Sequence, residues 1–295
     1  MHIQNLKGQL FVLLSAVLFG SYGIWAVLLS SDFGVFFQGY VRSFLVLLIL
    51  LPIMVFTNSW KPLTKSDVKA YAWCCGFGIF TQAPLYYAFQ HAGVGIVSLV
   101  FFAVSLIAAY GIGYFLLAEE MTRVKLYSFA LGIVGLVSIF WNSFGTVSLL
   151  ALFLAGLNGV ASGGEVSTTK LVPEKFSALQ TSVMVWGAIF ITHLPLSLLA
   201  GETQIVPALN VHWFAMLGFT FAGVCAFWLV IEGYKNIDAS VGGLIGLLEI
   251  VSAIFFGVLV FHESITVSIA MGSLLIIGAG MLPNVYTLSQ KIQQF

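Results

Sequence analysis

Three ionisable residues lie where charge is costly. Arg42, Glu165 and Glu249 each sit inside a long apolar run. A charge at the centre of a bilayer costs about 2.5–3.5 kcal/mol on insertion scales, so each should face protein, water or a ligand. Glu249, near the middle of its run, could bind a cation, carry a coupled proton or pair with Arg42. Glu165 ends the stretch Ser162-Gly163-Gly164-Glu165, five residues before Lys170. The two glycines let a neighbouring helix or a ligand come close. Glu165 is then either a carboxylate facing a cavity or a side chain that snorkels to the membrane surface. Arg42 could answer an anion or carboxylate, or fix helix packing in a permanent ion pair with Glu249.

Uncharged candidates accompany them. Tyr22 and Trp25 are three residues apart and share a helical face. Gln38, Gln82, Tyr86 and Trp228 are polar or amphipathic groups within apolar runs. Pro84, close to Gln82, should kink its helix and free a carbonyl. The leading site is a carboxylate pair, Glu165 and Glu249, with walls from Trp25, Tyr86 and Trp228. That chemistry favours a zwitterion or cation such as an amino acid or a choline-like amine. The alternative is an anionic or neutral metabolite, such as a nucleobase, held by Arg42. His193 lies inside an apolar run and reads as packing, while His91 and His262 fall in loops. Enzyme chemistry finds little footing, so no catalytic residue is assigned. His262-Glu263 begins a zinc-protease pattern that fails at its second histidine, and neither a GxSxG elbow nor a GxxxxGK[ST] loop occurs. Cys74, Cys75 and Cys225 have no metal-ligand spacing, so neither a metal nor another cofactor is expected.

The elements that must position these residues follow from composition. Of 295 residues, 60% are apolar and only 7% charged, against about a quarter charged in a soluble domain. That excludes a soluble enzyme, a disordered chain and a nucleic-acid binder with a basic face. The sequence predicts an all-α polytopic membrane protein with spans at 8–29, 33–57, 67–88, 93–117, 124–141, 147–170, 177–199, 210–231, 239–260 and 266–287. With these ten transmembrane helices, every Lys and Arg in the loops or at the span ends falls on one side. Lys7, Lys61, Lys65, Lys69, Arg123, Lys125, Lys170, Lys175, Lys235 and Lys291 all do so. The positive-inside rule then makes both termini cytoplasmic. Trp60, Trp141 and Trp213 fall near helix ends, where interfacial aromatics belong.

The chain also matches itself at a shift of about 140 residues. Glu119-Glu120-Met121-Thr122 pairs with Glu263-Ser264-Ile265-Thr266, and Leu13, Ala16, Leu18 and Gly20 recur as Leu152, Ala155, Leu157 and Gly159. Leu51-Pro52 matches Leu194-Pro195, and Gly76-Phe77 matches Gly218-Phe219. Five helices per copy is an odd number, so the second copy is inverted: residues 1–143 and 144–295 form two inverted five-helix repeats. Such repeats are typical of secondary transporters, with the site near the midplane between them.

These motifs resemble the ten-helix, EamA-type branch of the drug/metabolite transporter superfamily. The resemblance rests on Phe19-Gly20-Ser21 and Asn158-Gly159, on Arg42, and on the Glu-x-x-Thr loops at Glu119/Thr122 and Glu263/Thr266. It rests too on the small residues Ser128 and Gly272, on Ile237-Asp238-Ala239-Ser240 and on Leu248-Glu249-Ile250. It spans essentially the whole chain, and departs at Leu106 and Ile250, where family members often carry proline. The stretch ending in Glu165 also resembles choline importers of that superfamily. The resemblance implies a path lined by helices one, three, four, six, eight and nine. The expected protein is a multi-pass secondary transporter of the cytoplasmic (inner) membrane, not an enzyme. Its expected partners are lipid, a small molecule and protons as a candidate co-ion, with no nucleic acid. The expected state is a monomer or a weak homodimer.

Overall fold

The structure of the protein, a computed structural model, describes residues 2–29, 33–92, 94–141, 148–262 and 264–292. All regular structure among these residues is helical. In chain order the helices are α1 (His2–Gly20), α2 (Tyr22–Leu28), α3 (Val35–Phe56), α4 (Lys65–Gly78), α5 (Ala83–His91), α6 (Val94–Phe115) and α7 (Arg123–Phe140). Then follow α8 (Leu149–Thr168), α9 (Ala178–Leu199), α10 (Val211–Tyr234), α11 (Ala239–Gly246), α12 (Leu248–Phe261) and α13 (Val267–Ile292). In lipid only a helix satisfies the backbone of a lone segment, and these runs of Leu, Val, Ile and Phe leave no other choice. Among the described residues eight stretches are long and apolar enough to cross a membrane, and Val267–Pro283 is a shorter apolar helix.

The expected span 67–88 is not one helix. It divides into α4 and α5, with a turn at 79–82 between them. Pro84 contributes to the break, because a proline lacks the N–H that would bond the carbonyl four residues back, at Phe80, although Pro52, Pro195 and Pro283 sit inside continuous helices. Lesser breaks at Ser21 and Leu247 separate α1 from α2 and α11 from α12. The boundary expected at residue 143 and the motif residue Glu263 lie outside the described residues.

Hydroxyl and amide side chains set where helices begin. Thr122, Ser148, Ser177 and Asn210 accept bonds from backbone N–H groups in the first turns of α7, α8, α9 and α10. Thr266 does the same for α13, accepting from Ile269 N at 3.3 Å. The threonine of each Glu-x-x-Thr loop is therefore a helix cap. The glutamate of the first loop reaches further. Glu119 accepts from Ala239 N (2.5 Å), Ser240 N (3.2 Å) and Ser240 Oγ (2.9 Å), capping the start of α11. Lys170 (3.5 Å) and Lys125 (4.0 Å) flank the carboxylate, and Lys125 also holds Asp238 at 2.6 Å. A second carboxylate, Glu202, accepts from Phe36 N (3.1 Å) and Phe37 N (2.7 Å) at the start of α3.

The principal packing pairs are α6 with α8, α7 with α13, α3 with α9, α1 with α10, α1 with α12, and α4 with α8. Each joins an element before residue 142 to one after residue 148. The repeated glycines sit at two of these crossings. A methyl group at Gly159 would fall 2.6 Å from the Phe101 carbonyl oxygen of α6, and one at Gly20 would fall 2.8 Å from the Glu249 carbonyl oxygen of α12. Backbones approach this closely only where no side chain intervenes. Of the three tryptophans expected at interfaces, Trp60 and Trp141 are exposed. Trp213 is instead buried against Phe33.

Candidate functional site

A cavity of about 210 Å³ lies where the broken helices meet α3, α6 and α8–α10. Arg42 enters it from α3, and Tyr22 from the first turn of α2. Gln82 and Tyr86 enter from the start of α5, Glu165 from α8, and Glu249 from the first turn of α12. Asn158, Ser162 and Glu165 lie along one face of α8, and all three line the cavity. Phe19, Trp186, Phe219 and Phe227 supply aromatic walls.

Arg42 is 2% exposed and densely held by neutral groups. One terminal nitrogen donates to Gln82 Oε1 (3.2 Å) and Tyr86 Oη (3.4 Å), and the other donates to Tyr22 Oη. The Tyr86 hydroxyl in turn donates to Gln82 Oε1 at 2.7 Å, closing a ring of contacts. The guanidinium also lies 3.8 Å from the Phe219 ring centre, 4.6 Å from Tyr22 and 5.1 Å from Trp186. Stacking of this kind is worth about 2 kcal/mol or more when desolvated. Among the described residues Arg42 forms no ion pair, so the pairing with Glu249 weighed from the sequence is not present.

The two carboxylates contrast with it. Neither Glu165 nor Glu249 has a hydrogen-bond or ion-pair partner among the described residues, and both face the cavity. Glu165 is 8% exposed, so it does not snorkel to the surface. A methyl at Gly78, the last residue of α4, would fall 3.0 Å from Glu165 Oε1, which places that oxygen against the break in the third segment. The arrangement offers two unmatched acceptors and one cation whose terminal nitrogens are occupied.

Six of the nine residues expected from the sequence converge here: Tyr22, Arg42, Gln82, Tyr86, Glu165 and Glu249. Trp25, Gln38 and Trp228 are placed elsewhere. The Trp25 indole donates to Ser21 Oγ at 3.2 Å, and its ring fills the space over Gly218 of α10. Gln38 turns back to the Phe33 carbonyl at 2.9 Å, beside the Phe33, Phe37 and Trp213 cluster. Trp228 is 43% exposed and leans on Phe11, facing outward. His193 is buried, with Nδ1 at 3.1 Å from the Ile189 carbonyl, as a packing histidine would be. His91 and His262 are exposed. Trp186, Phe219, Phe227 and Asn158 went unassigned by sequence reasoning. Asn158 carried a signal, as an amide within an apolar run beside the repeated glycine, and Phe219 stands in the repeated Gly-Phe pair.

Comparison with known proteins now bears on this geometry. The model of the EamA-like transporter family matches residues 6–141 and again residues 149–283. The "Uncharacterized transporter YoaV" of Bacillus subtilis (strain 168) is 26% identical over 262 residues, covering 85% of this chain and 87% of that protein. A crystal structure aligns with a TM-score of 0.78 over 97% of this chain and 98% of its own, at 14% identity, a likeness of fold alone. These relationships point to a carrier rather than an enzyme. With its apolar helices, the chain is a multi-pass membrane transporter and belongs to the EamA-like transporter family.

Proposed function

We propose that the protein is a secondary transporter of the cytoplasmic membrane that moves a small cationic or zwitterionic metabolite, such as an amino acid or a choline-like amine, by alternating access. The carrying observation is the pair of carboxylates, Glu165 and Glu249, that share one aromatic-walled cavity and have no hydrogen-bond or ion-pair partner among the described residues. A buried charge without a partner is costly, and a cationic ligand group relieves that cost. A ligand ammonium would meet Glu165 and Glu249, with Tyr22 and Tyr86 beside it.

The architecture in this reading is ten spans in two inverted repeats, 1–143 and 144–295, with both termini cytoplasmic. Two findings support it: the family model matches twice in tandem, and the packing pairs have a symmetry. Let α1/α2, α4/α5 and α11/α12 each count as one broken span. Exchanging span n with span n+5 then turns the α6–α8 contact into the α11/α12–α1 contact, and α4–α8 into α10–α1. It maps α3–α9 and α7–α13 onto themselves. Discontinuous helices meeting at a site between repeats are the usual substrate cradle of such carriers.

The test is a thermal-shift screen of purified protein with amino acids, choline-like amines, nucleobases and sugar phosphates. A ligand that binds only the folded state raises the melting point by mass action. Shifts from amines or amino acids that disappear in Glu165→Gln and in Glu249→Gln support the carboxylate site, and persistence in both variants refutes it. The second reading draws on Arg42 Nε, a buried donor without a partner among the described residues. It expects shifts only from anions or neutral rings, lost in Arg42→Lys.

A further inference from the structure

The turn at 79–82 delivers Gln82 and Tyr86 to Arg42, so whatever fixes that turn fixes the cavity wall. Pro84 cannot donate to Phe80 O, and this carbonyl would be left unmatched inside the bundle. Its partner comes from another helix. Asn158 on α8, fully buried, donates Nδ2 to Phe80 O at 2.9 Å. A carbonyl can only accept, so the amide nitrogen must be the atom that faces it. The orientation is reinforced from behind, where Ser162 Oγ donates to Asn158 Oδ1 at 3.4 Å. Gly159, the next residue, lets α8 run against the α6 backbone, so the amide projects from a rigid contact.

We propose that Asn158 is a positioning residue of the cavity: its amide replaces the hydrogen bond that Pro84 removes, and so sets the break that presents Gln82 and Tyr86 to Arg42. The inference rests on reading this cavity as the substrate site, and it adds a residue that acts through its neighbours. Without the amide, Phe80 O must find water or another donor, and the turn loses the one side-chain hydrogen bond that ties it to α8 among the described residues. Gln82 then no longer has a fixed place from which to receive the Arg42 Nη1–H bond.

The test uses full-length protein with Cys74, Cys75 and Cys225 changed to alanine and one reporter cysteine added. Thr81→Cys reports the turn, and Ser105→Cys reports a second lining position of the same cavity, on α6 where it packs against α8. Each reporter's rate of reaction with N-ethylmaleimide is measured well below the melting point. Asn158→Ala is expected to raise the rate at position 81 at least threefold and to leave that at 105 unchanged. Asn158→Asp keeps the shape but puts an oxygen against the carbonyl, and it should give the same selective rise. Adding Pro84→Ala restores a backbone donor for Phe80 O and should return the rate at 81 to within twofold of its starting value. A rise at both reporters would mean general loosening and would overturn the proposal. So would no rise at 81, or a rise that Pro84→Ala does not reverse. None of these rates depends on substrate, so a failed ligand screen and a failed positioning role are separately readable.

Discussion

Replacing Glu119 by alanine should destabilise the protein more than replacing Glu202, although both carboxylates cap a helix start from across the molecule. Glu119 accepts three hydrogen bonds from Ala239 and Ser240 and stands beside two lysines, with its side chain 5% exposed. Its removal strands two backbone donors and leaves Lys170 and Lys125 without that counter-charge. Breaking a buried charged cluster from one side costs about 3–5 kcal/mol. Glu202 caps α3 through two donors at a half-buried site where water can substitute, so its loss costs about 0.5–2 kcal/mol. At about 2 °C per kcal/mol for a chain of this size, Glu119→Ala should lower the melting point by about 6–10 °C and Glu202→Ala by about 1–4 °C. Glu119→Gln keeps one acceptor oxygen and should fall between them. The assay is thermal unfolding of the three variants in one detergent. A Glu119→Ala shift no larger than that of Glu202→Ala would refute the reasoning.

Further substitutions probe the packing and the cavity. Gly159→Ala places a methyl 2.6 Å from Phe101 O and 3.0 Å from Val104 Cβ, and should cost about 1–3 kcal/mol by overpacking. Gly76→Ala meets nothing within 4 Å and should stabilise α4 by about 0.5–1 kcal/mol, so opposite shifts in melting point are expected of two identical exchanges. Arg42→Ala removes the stacking and leaves Tyr22, Gln82 and Tyr86 without their common partner. It should cost about 3–5 kcal/mol and reduce the monodisperse fraction on size-exclusion chromatography, and an undiminished fraction would mean the ring of contacts is dispensable. Arg42→Lys cannot hold Tyr22 and Gln82 at once and should recover only part of the loss.

The sequence carried the helices plainly and their rotation poorly. Long apolar runs must become helices in lipid, but a proline alone does not say where one breaks: the chain breaks before Pro84 and runs on through Pro52, Pro195 and Pro283. The direction each side chain points does not follow so readily. A membrane helix is apolar on every face, so its sequence lacks the stripe that orients an amphipathic helix in water. Trp25, Gln38 and Trp228 were therefore assigned by residue type, and each found a nearer partner: Ser21, the Phe33 carbonyl and Phe11. The charged residues fared better, because cost restricts where they can go. The same reasoning missed Phe219 and Phe227, which are hard to single out among 27 phenylalanines. It also could not separate Glu249 paired with Arg42 from Glu249 unpaired, since that depends on the rotation of two helices about their axes.

The crosswise packing has a consequence for biogenesis. The principal contacts of α1, α3, α4, α6 and α7 are made with helices encoded after residue 148. At about 5–20 residues per second, the second half takes on the order of 10–30 s to emerge from the ribosome. Throughout that interval the inserted first half keeps its glycine-lined faces without their eventual neighbours, and Arg42 has its hydrogen-bond partners Tyr22, Gln82 and Tyr86 but lacks the rings of Trp186 and Phe219. Assembly is thus a late, post-insertion event. A chain halted at residue 141 presents the quality-control machinery with the helices of the first half and few of the contacts that pack them in the finished structure.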